Sequence, residues 1–157
     1  MNKAVFLDRD GVINIERSEY TFNNDDVLWV ADIAEAIQVL KNKGYLLIVI
    51  TNQSGIAKSI YTHNHVEIIH NRIKNEVAKG AITEIYYCPH HPDFSKCLCR
   101  KPDSLMVEKS LARFNINPNL SFFVGDKQRD VDAGEKAGVK GVLIEQNTSI
   151  LEWAKTL

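Results

Sequence analysis

Two aspartates near the N-terminus stand where they could do chemistry on a substrate. Asp8 and Asp10 follow the short apolar run Lys3–Leu7, and Gly11 comes next. Residues two apart in an extended chain point to the same side, so these carboxylates would lie close enough to act on one substrate. Glycine lets the backbone turn sharply after them. The pattern predicts a strand that ends in a phosphoryl-transfer site.

Hydrolysis of a phosphate monoester needs several groups, because the acceleration reaches ~10²¹-fold while one acid or base supplies only ~10²–10⁴-fold. We expect Asp8 to attack phosphorus and form an aspartyl phosphate, and Asp10 to act first as general acid and then as general base. Carboxylates beside a phosphate dianion require a hard cation, which predicts Mg²⁺ as a cofactor. Asp126 would complete the ligands, and Asp130 would orient one of them or hold a water beside the ion.

Thr51 and Lys101 are the predicted donors to the phosphoryl oxygens, one through a hydroxyl and the other through a fixed positive charge. Each residue also has a simpler interpretation. Strand-end carboxylates often cap helices, residues 51–55 could form a polar turn, and Arg100 with Lys101 could be a solvated pair. The ordered set favours catalysis, because every member follows a predicted element.

The elements that must position these residues alternate along the chain. Apolar runs predict strands at residues 4–7, 45–50, 82–87, 122–124 and 142–144. Amphipathic stretches predict helices at 32–43, from Thr62 to Gly80, at 105–114, 130–137 and 150–157. We expect an α/β, three-layer Rossmann-like fold with a central, mostly parallel sheet and ligands beyond its carboxyl edge.

Composition limits the classes of function. With 157 residues and 45% hydrophobic residues, we expect a single domain over residues 1–157, acting as a monomer. A net charge of −1 argues against nucleic-acid and anionic-membrane partners. The first apolar stretch is too short for a secretory signal and no later run could span a membrane, which predicts a cytoplasmic protein.

Three cysteines lie within one short segment. Cys88, Cys97 and Cys99, together with a histidine, form the donor set of a closed tetrahedral zinc site. His90 mirrors the Cys-x-Cys spacing and is the expected fourth ligand, with His91 as the alternative. Because Cys99 directly precedes Arg100 and Lys101, a structural zinc would fix both cations. Three buried, unliganded cysteines are the simpler alternative.

The ordered motifs resemble those of the haloacid dehalogenase superfamily over nearly the whole chain. They are Asp8-Arg9-Asp10-Gly11-Val12, Thr51, Lys101 and Gly125-Asp126 through Asp130. The resemblance implies that Mg²⁺ is held by the Asp8 side chain, the Asp10 carbonyl and the Asp126 side chain. It also implies that Thr51 and Lys101 bind the phosphoryl group.

Within that superfamily the chain resembles the zinc-loop phosphatases, which act on D-glycero-D-manno-heptose 1,7-bisphosphate or on histidinol phosphate. Ser54 and Lys127 follow the heptose branch, whereas Lys58 and Ser59 replace its usual Arg-Gly. The resemblance implies that there is no large cap domain and that short loops bind a small phosphorylated sugar. The implied substrate contacts are Tyr20, Asn52, Gln53, Ser54 and Arg100, and Lys127 adds charge beside them.

The charge of Arg100, Lys101 and Lys127 exceeds what one phosphate needs, which favours a sugar bisphosphate that loses its C7 phosphate. These cations could equally balance an acidic metal site. Three alternatives remain at this stage: a histidinol-phosphate phosphatase, a nucleic-acid end phosphatase and a non-catalytic zinc-organised binding domain.

Overall fold

The computed structural model describes all 157 residues and contains a five-stranded sheet with helices on both faces. The strands are β1 (Lys3–Leu7), β2 (Tyr45–Asn52), β3 (Ile82–Cys88), β4 (Phe122–Gly125) and β5 (Lys140–Leu143), in the spatial order β3-β2-β1-β4-β5. The helices are α1 (Ile33–Asn42), α2 (His63–Arg72), α3 (Leu105–Arg113), α4 (Gln128–Lys136) and α5 (Leu151–Thr156). All neighbouring strands are parallel, which confirms the predicted fold class.

The alternation of side chains along β1 divides the core into two layers. Val5 and Leu7 belong to the cluster that packs against α1, α2 and α5, whereas Ala4 and Phe6 belong to the cluster beneath α3 and α4. All four are fully buried, and complete burial of a side chain such as Leu or Phe is worth roughly 1.5–3 kcal/mol. Burial on both faces explains why the strands are continuous apolar runs.

Several boundaries differ from the prediction. β2 and β3 extend to Asn52 and Cys88, because Thr51 pairs with Tyr87 and Asn52 with Cys88. Hydrogen bonds between backbones do not require apolar side chains, so hydrophobicity alone ends these strands too early. Other differences are a fifth strand that begins at Lys140, a fourth helix that begins at Gln128 and a π-helical turn (Ile73–Val77) that continues α2.

The central position of β1 places its carboxyl end at the middle of the sheet edge. Leu7 pairs with Val49 of β2 and with Val124 of β4, so Asp8 emerges between the ends of two neighbours. Residues 8–32 form a loop with one 3₁₀ turn (Asn24–Asp26), and residues 89–104 contain no helix or strand. The predicted absence of a large cap domain is therefore confirmed. None of the helices is both long and apolar enough to span a bilayer.

Candidate active site

A cavity of about 870 Å³ opens at the carboxyl edge of the sheet. Most of the predicted site residues line it: Asp8, Asp10, Tyr20, Thr51, Asn52, Gln53, Ser54, Arg100 and Lys127. Lys101, Asp126 and Asp130 lie against Asp8 and do not line the cavity. The structure thus brings together residues that the sequence separates by more than a hundred positions, as expected when parallel strands end at one edge.

Lys101 is buried beside Asp8, and its ammonium lies close to three oxygens. Its ammonium lies 2.7 Å from Asp8 Oδ1, 2.7 Å from Asp130 Oδ1 and 2.8 Å from the Ile50 carbonyl oxygen. The contacts with Asp8 and Ile50 are hydrogen bonds, whereas the contact with Asp130 Oδ1 is an ion pair whose oxygen has no hydrogen-bond partner. Burial opposes the charge of Lys101, but the Asp8 and Asp130 carboxylates outweigh it and raise the Lys101 pKa. Lys101 therefore remains a cation that orients Asp8.

Asp8 is a buried carboxylate with one free oxygen. Oδ1 accepts hydrogen bonds from Lys101 and from the Arg9 backbone at 2.8 Å, whereas Oδ2 accepts none. Burial raises the pKa of Asp8 to about 7, and the charges of Asp130 and Asp10 add to that effect. Lys101 opposes the shift but is shared with Asp130, so its charge does not offset burial.

The surroundings of Asp8 fit a divalent cation. The Asp126 side chain is fully buried, and its Oδ1 has no hydrogen-bond partner, although Oδ2 accepts from Lys127 Nζ at 3.0 Å. The Asp10 carbonyl oxygen also accepts no hydrogen bond. Buried oxygens without partners are rare in proteins and indicate a missing cation or water. Oxygens of Asp8, Asp126 and Asp130 all lie within 4.8 Å of one another.

Gly11 is required for this arrangement. Its φ of 94° lies in the region that favours glycine, and a β-carbon there would approach Asp126 Oδ2 to 2.6 Å. Asp130 has a different position, since Oδ2 accepts from the Lys127 backbone at 3.1 Å while Oδ1 contacts Lys101. Asp130 Oδ1 is paired with Lys101 by charge but has no hydrogen-bond partner, so Asp130 lies beside Lys101 and holds the start of α4 through Oδ2.

Asp10 is held by three neighbouring side chains. Arg9 donates to it through two nitrogens, at 2.8 and 3.1 Å, while Asn14 and Gln53 donate at 2.9 and 3.0 Å. Burial alone would raise the Asp10 pKa, but the Arg9 charge and these hydrogen bonds outweigh it and lower the pKa. The predicted acid/base is thus fixed and ionised in the absence of substrate. Arg9, itself 1% exposed, is a residue that the sequence reasoning did not identify.

The loop after β2 contributes hydrogen bonds within the protein. Asn52 Nδ2 donates to the Lys101 carbonyl oxygen at 3.1 Å, and its Oδ1 accepts from the Lys101 backbone at 3.0 Å. Thr51 Oγ1 accepts from Gln53 at 2.9 Å. Ser54 and Tyr20 have their hydroxyl oxygens 3.4 Å apart at the side of the cavity. Asn52 therefore joins the end of β2 to the peptide of Lys101.

The predicted zinc ligands form one cluster. Cys88 Sγ lies 3.7 Å from Cys97 Sγ and 3.0 Å from Cys99 Sγ, and His90 Nδ1 lies 3.5 and 3.3 Å from Cys88 and Cys99. Ligands around a tetrahedral zinc are separated by roughly 3.5–3.8 Å, given bonds of about 2.0–2.3 Å. Two of the four distances fall in this range and the other two, 3.0 and 3.3 Å, are shorter, so the four donors lie close enough together to hold one metal ion. His91 is not part of it and instead accepts from the Asp93 backbone at 3.2 Å.

The chemistry of these donors also fits a metal. Burial and the neighbouring Cys99 thiol raise the pKa of Cys88 well above its ordinary value. The Cys88 thiol therefore stays protonated unless a cation balances its charge. All three cysteines are free of disulfides.

Four basic side chains besides Arg9 line the cavity, and two of them are already paired. Arg17 contacts Asp26 at 3.1 Å and Lys127 contacts Asp126 at 3.0 Å. Arg100 uses only Nη1, which donates to the His90 carbonyl oxygen at 3.2 Å, and Arg129 makes no hydrogen bond or ion pair. Arg129 was not predicted, although its place in the first turn after Asp126 is a usable sequence signal.

Comparisons with known proteins agree with this geometry. A family model described as "Polynucleotide kinase 3 phosphatase" matches residues 3–145. The D-glycero-beta-D-manno-heptose-1,7-bisphosphate 7-phosphatase of Haemophilus ducreyi is 40% identical over 146 residues, covering 88% of this chain and 80% of the relative. The corresponding alpha-heptose enzyme of Photorhabdus laumondii is 38% identical, covering 87% and 79%.

A solved structure is similar over nearly the whole chain. It is the D,D-heptose 1,7-bisphosphate phosphatase of B. bronchiseptica, complexed with magnesium and phosphate, with a TM-score of 0.85 and 29% identity. The match covers 98% of this chain and 86% of that one. Motifs, fold and relatives therefore agree, and the chain belongs to the haloacid dehalogenase-like phosphatases, as its sequence predicted.

Proposed function

We propose that this chain is a Mg²⁺-dependent phosphatase that removes the C7 phosphate of D-glycero-D-manno-heptose 1,7-bisphosphate. The observation that carries the proposal is the state of Asp8. Its Oδ1 is held by Lys101, its Oδ2 has no partner, and the residue lines the cavity. An oriented carboxylate with one unengaged oxygen is what in-line attack on phosphorus requires.

Asp8 Oδ2 attacks phosphorus, and the bond from phosphorus to the sugar oxygen breaks. Asp10 gives its proton to the departing alkoxide, so that the products are an aspartyl phosphate and a free alcohol. Asp10 then takes a proton from the water that attacks the same phosphorus, which releases inorganic phosphate and restores Asp8. Asp10 must first gain a proton, and the phosphate dianion of an incoming substrate favours that form by charge repulsion.

Magnesium would be held by the side chains of Asp8 and Asp126 and by the carbonyl oxygen of Asp10, three acceptors with unengaged oxygens. When bound it supplies positive charge against the carboxylates and the phosphoryl oxygens. Lys101 keeps Asp8 oriented, and Asp130 keeps Lys101 in place. The Thr51 hydroxyl accepts from Gln53 and donates only at 3.5 Å to the Asn52 carbonyl oxygen, so it would turn from that long contact to donate to a phosphoryl oxygen.

Zinc would be held by Cys88, His90, Cys97 and Cys99 as a structural ion, since four protein ligands leave no open position. Arg100 donates to the His90 carbonyl oxygen and Lys101 follows directly, so the cluster fixes both cations. Free thiols support a reducing, cytoplasmic location. A Cys97→Ser, Cys99→Ser variant should lose zinc by elemental analysis, melt at a lower temperature and lose activity. A folded, zinc-free variant with full activity would contradict the structural role.

The substrate assignment rests on the free cations of the cavity. Arg100 and Arg129 have unengaged guanidinium nitrogens, and Arg can bind a second phosphate bidentately. The cavity is much larger than one phosphate, and the named relatives act on heptose bisphosphates. Tyr20, Ser54 and Lys127 would complete the contacts. We also expect a monomer, which light scattering measures.

Release of inorganic phosphate from a panel of substrates tests the function. The panel contains both anomers of the heptose bisphosphate, histidinol phosphate and a 3′-phosphorylated oligonucleotide. We expect the bisphosphate to have the highest kcat/KM and its product to retain the C1 phosphate by ³¹P NMR. Asp8→Asn should abolish turnover on every substrate. Preference for histidinol phosphate or for the oligonucleotide would overturn the substrate assignment, and turnover by Asp8→Asn would overturn the mechanism.

A further inference from the structure

Gln53 is a buried side chain whose polar groups are directed into the protein. It is 2% exposed. Nε2 donates to Asp10 Oδ2 at 3.0 Å and to Thr51 Oγ1 at 2.9 Å, while Oε1 accepts from the Tyr61 hydroxyl at 2.8 Å. An amide nitrogen has two hydrogens, so both donors are used and neither remains for a ligand.

The directions of these hydrogen bonds are fixed by chemistry. Asp10 Oδ2 also accepts from Arg9 Nε at 3.1 Å, so it acts as an acceptor; Nε2 of Gln53 must therefore face it, and Oε1 must face Tyr61. The Tyr61 hydroxyl is therefore the donor to Gln53. Thr51 accepts from Gln53, so its own hydroxyl hydrogen points away from Gln53; it makes only a long contact of 3.5 Å with the Asn52 carbonyl oxygen and can turn from it to a phosphoryl oxygen. One side chain thus sets the orientation of two reacting groups.

Tyr61 is held rigidly in the position that Gln53 needs. It is 4% exposed and its ring stacks on Phe22, with centroids 5.4 Å apart. A β-carbon at Gly55 would overlap the Tyr61 ring, so the ring lies directly against the loop that carries Gln53. A rigid partner keeps the amide from rotating, because rotation would place Oε1 against the Asp10 carboxylate.

We propose that Gln53, fixed by Tyr61, is a positioning residue that orients Asp10 and Thr51 and so governs the chemical steps without binding the substrate. The inference rests on the proposed phosphatase function and deepens it. It assigns Gln53 a role different from the substrate contact that its position in the loop predicted. It also adds Tyr61, which acts on the reaction only through Gln53.

Steady-state kinetics of two variants and their combination test the proposal. Gln53→Met keeps the shape of the side chain but removes its hydrogen bonds, and Tyr61→Phe removes only the hydroxyl. We expect Gln53→Met to lower kcat by ~10–100-fold with KM changed less than about twofold, since one acid or base contributes ~10²–10⁴-fold. Tyr61→Phe should lower kcat about threefold. The double variant should be no slower than Gln53→Met, because Tyr61 acts through Gln53.

Two control variants test whether the effect on kcat depends on where the substitution is made. Gln38→Met on α1 and Tyr45→Phe at the start of β2 make the same changes far from the site and should leave kcat unchanged. The kinetics are measured with p-nitrophenyl phosphate as well as heptose bisphosphate, so the outcome does not depend on the sugar assignment. A raised KM with unchanged kcat, or additive losses in the double variant, would overturn the proposal. If the wild type hydrolyses p-nitrophenyl phosphate but not heptose bisphosphate, only the substrate assignment is overturned.

Discussion

Magnesium binding should compete with a proton on Asp8. In the protein without a cation, burial raises the pKa of this carboxyl to about 7, whereas an ordinary aspartate has a value of 3.8. A cation binds only the ionised form, so part of the binding free energy is spent on removing the proton. We therefore predict that Mg²⁺ binds more weakly as the pH falls below 7.

The magnitude follows from the two pKa values. With a pKa of about 7, Asp8 is ~90% protonated at pH 6 and ~10% protonated at pH 8. Binding should release about 0.9 proton at pH 6 and about 0.1 at pH 8. The apparent dissociation constant should rise about tenfold between pH 8 and pH 6, which is about 1.4 kcal/mol. An aspartate with an ordinary pKa would change the affinity by less than about 2%.

Isothermal titration calorimetry of Mg²⁺ into the full chain measures both quantities. Titrations at pH 6, 7 and 8 in two buffers of different ionisation enthalpy give the affinity and the number of protons released. The Asp8→Asn variant, which has no proton to lose there, should show weak binding without proton release. Equal affinity at pH 6 and pH 8, with no release of protons from the wild type, would refute the reasoning.

Three further predictions concern His70, Ser59 and Asn52. His70 is buried and makes no hydrogen bond, and burial lowers its pKa to about 3, whereas the value in the unfolded chain is 6.5. The unfolded state therefore takes up the proton first, and the free energy of unfolding should fall as the pH drops below about 6.5. Urea unfolding should show the wild type losing ~2 kcal/mol more than His70→Leu between pH 7.5 and pH 5, and parallel curves would contradict this. Ser59 has φ 58° and is exposed, so Ser59→Gly should add ~0.5–1 kcal/mol, measured as a higher melting temperature, while Ser59→Ala should add nothing. Asn52→Ala removes both hydrogen bonds to the Lys101 peptide and should lower kcat about tenfold at nearly constant KM. An unchanged kcat would show that these two hydrogen bonds are not needed to position Lys101.

The sequence predicted the layers and the composition of the site because both follow from local rules. Apolar runs identified each strand, and parallel strands must end at one edge, so Asp8, Thr51 and Asp126 were expected together. The cysteine cluster was equally accessible, since its four donors lie within twelve residues. The αL backbone of Ser59 is a conformation that favours glycine, which the apolar pattern of the sequence does not reveal.

What each polar side chain contacts could not be predicted in the same way. Asn52 and Gln53 resemble substrate contacts in sequence, yet their amides bind Lys101 and Asp10, 49 and 43 residues away. Choosing between a ligand and an internal partner depends on distances of tenths of an ångström, which no spacing encodes. Arg129 and Tyr61 were missed for the same reason, because their importance comes from neighbours that only the fold supplies.

The position of the cysteine cluster has a mechanical consequence. β3 is an edge strand with β2 as its single neighbour, whereas β1 is supported on both sides. Cys88 is the last residue of β3, and the loop that follows carries Arg100 and Lys101 back to the centre of the sheet. A metal ion bound there would brace the unsupported edge as an additional strand would. Lys101 would then be held from an edge of the sheet, while the end of the central strand β1 carries Asp8.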